Sequence, residues 1–131
     1  MSERAGARGI VVGHGEMAAG LVDAVRCIAG EAAASLTAVS NEGKGLDQLR
    51  REIDRVAGEG TAVVFVDLEA GSCGLAAAYT CRDVTGRAIV CGVNLPMLLD
   101  FVFHRELPLE ELVSRLVERG RSAIRAAPAR A

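Results

Sequence analysis

The stretch Gly9-Ile10-Val11-Val12-Gly13-His14-Gly15-Glu16-Met17 decides the fold. Its short β-branched run, unbroken by polar residues, reads as a strand buried on both faces. The run stops at a histidine held between two glycines, and a new period begins at once. Met17, Leu21, Val25 and Ile28 recur at spacings of four, four and three, the stripe of a helix over 17–29. Gly30 is placed to terminate it.

The alternation continues outward from this unit. Leu36 to Val39 reads as a weaker strand, followed by a helix over 45–57 with Leu46, Leu49, Ile53 and Val56 on one face and Arg50, Arg51, Glu52 and Asp54 on the other. Val63-Val64-Phe65-Val66 is the strongest strand signal and ends at Asp67. A helix of small residues near 73–82 and a strand over 88–92 come next. Asn94 suits an N-cap and Pro96 a first helical turn. A last helix over 109–125 carries Leu109, Leu112, Leu116 and Val117. This βαβαβαβα(α) order predicts a doubly wound α/β fold, a mostly parallel sheet of four to five strands with helices on both faces. A length of 131 residues fits a single domain, 1–131 with a core over about 8–125, and the last four residues read as frayed.

Composition narrows the function. Half the residues are hydrophobic and 24% are charged, which excludes a disordered chain. A net charge of −2, 3% aromatics and no Trp leave neither a basic footprint nor a stacking platform for nucleic acid. Met1-Ser2-Glu3-Arg4 has no apolar signal core, and no apolar stretch approaches the ~20 residues of a membrane span. Cys27, Cys73, Cys81 and Cys91 show neither Cys-x-x-Cys spacing nor a zinc-type pairing with His. Cys27 and Cys91 lie in apolar runs and read as buried free thiols. A cytoplasmic protein with reduced cysteines is expected.

In such folds ligands bind beyond the carboxyl ends of the strands. The residues found there are Gly13-His14-Gly15-Glu16, Asn41-Glu42-Gly43-Lys44-Gly45, Asp67-Leu68-Glu69-Ala70-Gly71-Ser72 and Gly92-Val93-Asn94-Leu95-Pro96. The glycines beside His14 allow close approach of a phosphate or a partner's backbone, and the helix that follows favours an anion. Asp67 is positioned to accept a hydrogen bond from one ring nitrogen, leaving the other as a nucleophile. The competing reading makes His14 and Asp67 helix caps. Gly71-Ser72 offers amides and a hydroxyl to phosphate oxygens, or a plain serine cap. Gly43-Lys44-Gly45 lacks the flanking Gly and Ser/Thr of a nucleotide phosphate loop. His104 reads as a cation at a helix end. Cys73, at a helix start, is a candidate for a lowered thiol pKa.

Three blocks together resemble the IIA components of the mannose-type sugar phosphotransferase system (PTS). The segment Ile10 to Leu21 is similar to the family's start. Val64-Phe65-Val66-Asp67-Leu68-Glu69-Ala70-Gly71-Ser72 is similar to its strand, Asp and Gly-Gly-Ser-Pro loop. Gly92-Val93-Asn94-Leu95-Pro96-Met97-Leu98-Leu99 is similar to its Gly-Val-Asn-Leu-Pro-Met-Leu block. The resemblance covers about residues 8–125. It implies a phosphotransferase component with a phosphohistidine intermediate. His14 would carry the phosphoryl group, Asp67 would fix its tautomer, and Ser72, Gly71 and Gly15 would lie near the phosphate. The implied donor is phospho-HPr, charged from phosphoenolpyruvate through enzyme I, and the acceptor is a IIB protein or domain. Each partner brings its own histidine, so neither metal nor cofactor is implied. Contact with the membrane would be indirect, through the IIC/IID permease.

The family's Gly-Gly-Ser-Pro is Ala70-Gly71-Ser72-Cys73 here, and Glu69 adds a negative charge to the loop. The family's habit of dimerising implies a homodimer. The tail beyond Gly120 has one β-branched residue and favours helix over an exchanged strand. Met17 and Leu68 are candidates for a docking surface, whereas Met97 reads more simply as core. Two further readings stand beside the transport carrier. One is a regulatory phosphohistidine module that reports PTS phosphorylation by protein binding, with the donor subunit of a dihydroxyacetone kinase as a related variant. The other is an α/β binding domain without phosphotransfer.

Overall fold

The computed structural model describes residues 6–82 and 84–128. Four strands, β1 (Arg8–Gly13), β2 (Leu36–Ser40), β3 (Ala62–Val66) and β4 (Arg87–Cys91), form a parallel sheet in the order β2-β1-β3-β4. Among the described residues five α-helices connect or follow them: α1 (Met17–Ala29), α2 (Leu46–Ala57), α3 (Ser72–Cys81), α4 (Leu95–Val102) and α5 (Leu109–Ser122). A 3-10 turn over Gly30–Ser35 joins α1 to β2. The predicted alternation and parallel sheet are both present, with four strands among the described residues.

The continuous apolar runs of β1 and β3 follow from their central places, because both faces of each strand are covered. Val11, Val63 and Phe65 pack with α1, α4 and α5 on one face. Ile10, Val12, Val64 and Val66 pack with Leu49 and Ile53 of α2 and Ala76 and Ala77 of α3 on the other. Gly30 ends α1 at φ 65° and returns its amide to the Arg26 carbonyl. Asn94 caps α4, its side chain accepting from the Met97 amide at 3.1 Å.

Several expectations need correction. The buried side of α1 follows Ala18 and Val25, with Leu21 and Val22 half-buried, while Met17 and Ile28 are 45% and 62% exposed. The large residues of the sequence stripe cover only one edge of the buried side, because Ala18 is too small to dominate a hydrophobic pattern. Cys27 and Cys91 are free thiols but exposed, not buried. Cys27 lies on the solvent face of α1, and Cys91 ends the edge strand β4, where one side has no neighbour. Helix α5 stops at Ser122 rather than 125, because its apolar stripe ends where Gly120 packs under Met97. Beyond it Ile124 is 76% exposed and 124–128 form no regular element. Of the last four residues only Pro128 lies within the described range.

Phe101 ties the α4 layer to the sheet. It is fully buried and meets Phe65 edge-on at 5.2 Å between centroids. Gly9 lies directly beneath it, since a Cβ there would come 2.7 Å from the Phe101 ring. Phe101→Ala is expected to cost about 3–5 kcal/mol by emptying this contact. Urea unfolding should show a lower midpoint at unchanged slope.

Candidate functional site

Because β1 and β3 are neighbours in the sheet but lead away to opposite sides, the fold has its topological switch point between their carboxyl ends. His14 follows one strand and Asp67 the other. The Asp67 amide donates to the Val12 carbonyl at 3.2 Å, which extends the ladder up to the site.

The Asp67 carboxylate accepts twice from His14. Its Oδ2 takes the His14 backbone amide at 2.9 Å and lies 2.9 Å from ring Nδ1. With Asp67 ionised, Nδ1 carries the proton and donates, which leaves the Nε2 lone pair free. Gly13 lies close to the pair: a Cβ there would make ordinary contact with Asp67 Oδ2 at 3.5 Å and a tighter one, 3.3 Å, with the Ala18 amide nitrogen. The His14 side chain is 44% exposed and that of Asp67 only 9%. The site therefore joins an accessible ring to a nearly buried carboxylate. Burial pushes the Asp67 carboxyl up, but the His14 amide, the His14 ring and its charge, and the residue's own amide outweigh it and hold the group below its ordinary value.

The helix-cap alternative does not describe these two residues. Neither Glu16 at the start of α1 nor Gly71 at the start of α3 has a side-chain cap bond, and neither His14 nor Asp67 occupies a cap position. Ser72 is likewise the first helical residue rather than the cap. Gly71 has φ 108°, and a Cβ there would lie 3.7 Å from both Cε1 and Nε2 of His14. The loop over β3 thus passes beside the free edge of the ring. The first bond of α3 runs from the Leu75 amide to the Gly71 carbonyl, so the preceding amides of that turn have no carbonyl within the helix.

Sequence reasoning missed Asn41, which binds three segments. Its Oδ1 accepts from the Gly15 amide at 3.2 Å, and its Nδ2 donates to Ser72 Oγ at 3.4 Å. Ser40 Oγ donates to the Gly15 carbonyl at 2.9 Å. Gly15 therefore supplies a left-handed turn, φ 58°, while its amide is occupied by Asn41. The one available signal was position, since Asn41 directly follows β2. Cys73 also departs from expectation. Burial first, and then the Asp67 charge, push its thiol up despite a bond to Ser72, where a helix start had suggested a lowered value. Its Sγ lies 3.7 Å from His14 Nδ1. Lys44 is turned away, donating to the Ser40 carbonyl at 2.7 Å and paired with Glu52 at 3.1 Å. His104 sits at the end of α4 with Nδ1 2.8 Å from the Asp100 carbonyl oxygen. Met17 and Leu68 are exposed, and Met97 is buried. Among the described residues no helix is long and apolar enough to cross a membrane.

Residues 9–117 match the family model EIIA-man, described as the PTS system fructose IIA component. No curated protein matches. Among solved structures, the mannose/sorbose specific IIA subunit of the phosphotransferase system from Enterococcus faecalis superposes with a TM-score of 0.84 at 24% identity, covering 96% of this chain and 98% of that one. The PTS component EIIA from Streptococcus agalactiae gives 0.82 at 22% identity, covering 91% and 95%. A sigma-54 interaction domain protein from Enterococcus faecalis gives 0.72 at 12%, covering 92% and 94%. At these identities the structures speak for the fold.

A depressed carboxyl pKa ties stability to pH with a definite sign. Asp67's share is full above the ordinary value of 3.8 and is lost as pH falls through the lower folded value. Acid titrations of unfolding stability should therefore show wild type losing stability relative to Asp67→Asn as pH falls from 3.8 to that lower value. Parallel pH profiles would contradict this.

Proposed function

The chain belongs to the family of PTS fructose IIA components, and from that membership we propose that it is a phosphoryl carrier that accepts the group from phospho-HPr on His14 and passes it to a IIB protein or domain. The observation that carries the reading is the Oδ2–Nδ1 contact at 2.9 Å, which leaves Nε2 as the nucleophilic nitrogen on an exposed ring.

In the transfer, the Nε2 lone pair forms the N–P bond as the bond to the donor's histidine breaks. The proton on Nδ1 stays against Asp67, whose charge offsets the positive charge developing on the ring. A loose, metaphosphate-like transferring group asks mainly for positioning and charge stabilisation. Gly71 gives it room beside Nε2, and the first turn of α3 with the Ser72 hydroxyl supplies donors. Gly15 contributes by turning the chain, and Asn41 positions both Gly15 and Ser72. Covalent capture on histidine splits one transfer between proteins into two. Met17 and Leu68, both exposed near the ring's loops, fit a docking surface for the two partners. The reading includes a cytoplasmic location and a homodimer, with the permease as an indirect contact.

The regulatory reading draws on the loop Ala70-Gly71-Ser72-Cys73 and on the fold, which is shared with a sigma-54 interaction domain protein. Both readings require phosphorylation of His14 and differ in what the phosphorylated protein meets next.

Incubation with phosphoenolpyruvate, enzyme I and HPr should add one acid-labile phosphoryl group by intact mass, absent in His14→Ala. Asp67→Asn should slow the transfer by about 10²–10⁴-fold, the span of misplaced proton control on a catalytic histidine. Failure of wild type to gain mass would sink the carrier reading.

A further inference from the structure

One nucleophilic group in the site has no part in phosphoryl transfer. Cys73 is fully buried, 59 positions from His14 in sequence, yet its Sγ stands 3.7 Å from His14 Nδ1. The ligating atoms of His14, Asp67 and Cys73 all lie within 4.8 Å of one another. Asp67 adds an independent observation: its side chain is only 9% exposed, and its Oδ1 is buried without a hydrogen-bond partner. A nearly buried carboxylate oxygen left unpaired normally has an explanation such as an ion.

We propose that His14 Nδ1, Asp67 and Cys73 form a binding site for a zinc-class divalent ion, and that the bound ion switches off phosphoryl acceptance. An imidazole, a thiolate and a carboxylate suit borderline-soft zinc, whereas magnesium and calcium prefer all-oxygen shells. Tetrahedral zinc with ordinary bond lengths separates N and S ligands by about 3.6 Å and N and O ligands by about 3.4 Å. The observed separations are 3.7 Å to Cys73 Sγ and 2.9 Å to Asp67 Oδ2, the oxygen beside the unpartnered Oδ1 on the same carboxylate. A movement of about half an ångström by His14 closes the difference. Its exposed ring, between two glycines, has the freedom to make it. Three protein ligands leave the fourth position to water.

The switch follows from the ring's tautomers. Without the ion, Nδ1 holds the proton and Nε2 the lone pair. Coordination uses the Nδ1 lone pair, so the neutral ring must carry its proton on Nε2, where no lone pair remains to attack phosphorus. The Cys73 thiol loses its proton to solvent, and thiolate plus carboxylate balance the dication. The inhibitory half of this inference rests on the carrier reading of His14; the binding half does not.

The test starts from purified protein stripped with EDTA. Zinc should appear in native mass spectra as one ion per chain, and cobalt as a probe should give a near-ultraviolet thiolate charge-transfer band. The band should vanish in Cys73→Ser and persist in Cys91→Ser, whose thiol is exposed elsewhere. On wild type alone, nitrogen NMR of His14 should show zinc converting Nε2 from the unprotonated to the protonated form. No bound zinc, a band that survives Cys73→Ser, or an Nε2 left unprotonated would overturn the site. With purified phospho-HPr as donor, zinc at ten times its Kd should slow wild-type phosphorylation roughly tenfold and leave the rate of Cys73→Ser insensitive to zinc. An unslowed wild type overturns the switch. If the EDTA-treated protein takes up no phosphoryl group at all, the carrier reading and the switch fall together, and the cobalt band still decides the site.

Discussion

The contact between Asp67 and His14 organises the carboxyl edge of the sheet, and it makes unusual demands on the backbone. One carboxylate oxygen accepts both the His14 amide and the ring Nδ1, each at 2.9 Å. Two donors from one residue meet one oxygen only if that residue turns sharply, so that amide and ring face the same way. Gly13 ends β1, and Gly15 just beyond His14 provides the turn, in the left-handed region that L side chains avoid. The carboxylate is nearly buried, and burial alone would favour its neutral form. The hydrogen bonds from His14 reverse that balance and keep it charged. The same carboxylate then decides which ring nitrogen holds the proton. Tautomer, ionisation and turn are thus one constraint expressed three ways.

That constraint depends on strand order. His14 and Asp67 are 53 positions apart, and they meet because β1 pairs directly with β3 in parallel, Val12 opposite Val66. Had β3 taken a place beyond β2, both residues would still end strands, and they would be a strand's width or more apart. The apolar runs of β1 and β3 accordingly fix both the core and the place where His14 and Asp67 meet. They make these strands the central pair, and the central pair flanks the switch point.

Much of this was legible in the chain. Continuous β-branched runs mark β1 and β3 as buried on both faces, and the residue that ends each run falls at the sheet's carboxyl edge. His14 and Asp67 could therefore be named from period and position. Other features were hidden for identifiable reasons. The inner face of α1 is built on Ala18, whose small side chain barely registers in a hydrophobic pattern. Asn41 follows the weakest strand and looks like an ordinary turn residue, because its partners Gly15 and Ser72 come from two other loops. The nearness of Cys73 to the ring is a consequence of the same register that joins β1 to β3, and sequence spacing carries no trace of it. The exposure of Cys91 likewise depends on β4 being an edge, which the run Ile89-Val90-Cys91 does not announce.

The loop over β3 shows which of its departures the geometry tolerates. Gly71 needs φ 108° and lies against the His14 ring, and glycine is retained there. Gly74 is more confined still: a Cβ would fall 2.0 Å from the Glu69 carbonyl oxygen, a separation no adjustment of side chains could relieve. A glycine inside a helix costs about 1 kcal/mol relative to alanine, and here that cost lets α3 begin directly under the loop that shapes the site. Position 70 is exposed, so alanine there leaves both close approaches intact. Position 73 faces inward onto the Asp67–His14 pair. Cysteine at that position therefore alters the chemical surroundings of the ring more than it alters the path of the chain. The backbone that presents His14 is held by glycines at 13, 15, 71 and 74, and the side chain at 73 is the variable that the same backbone can carry.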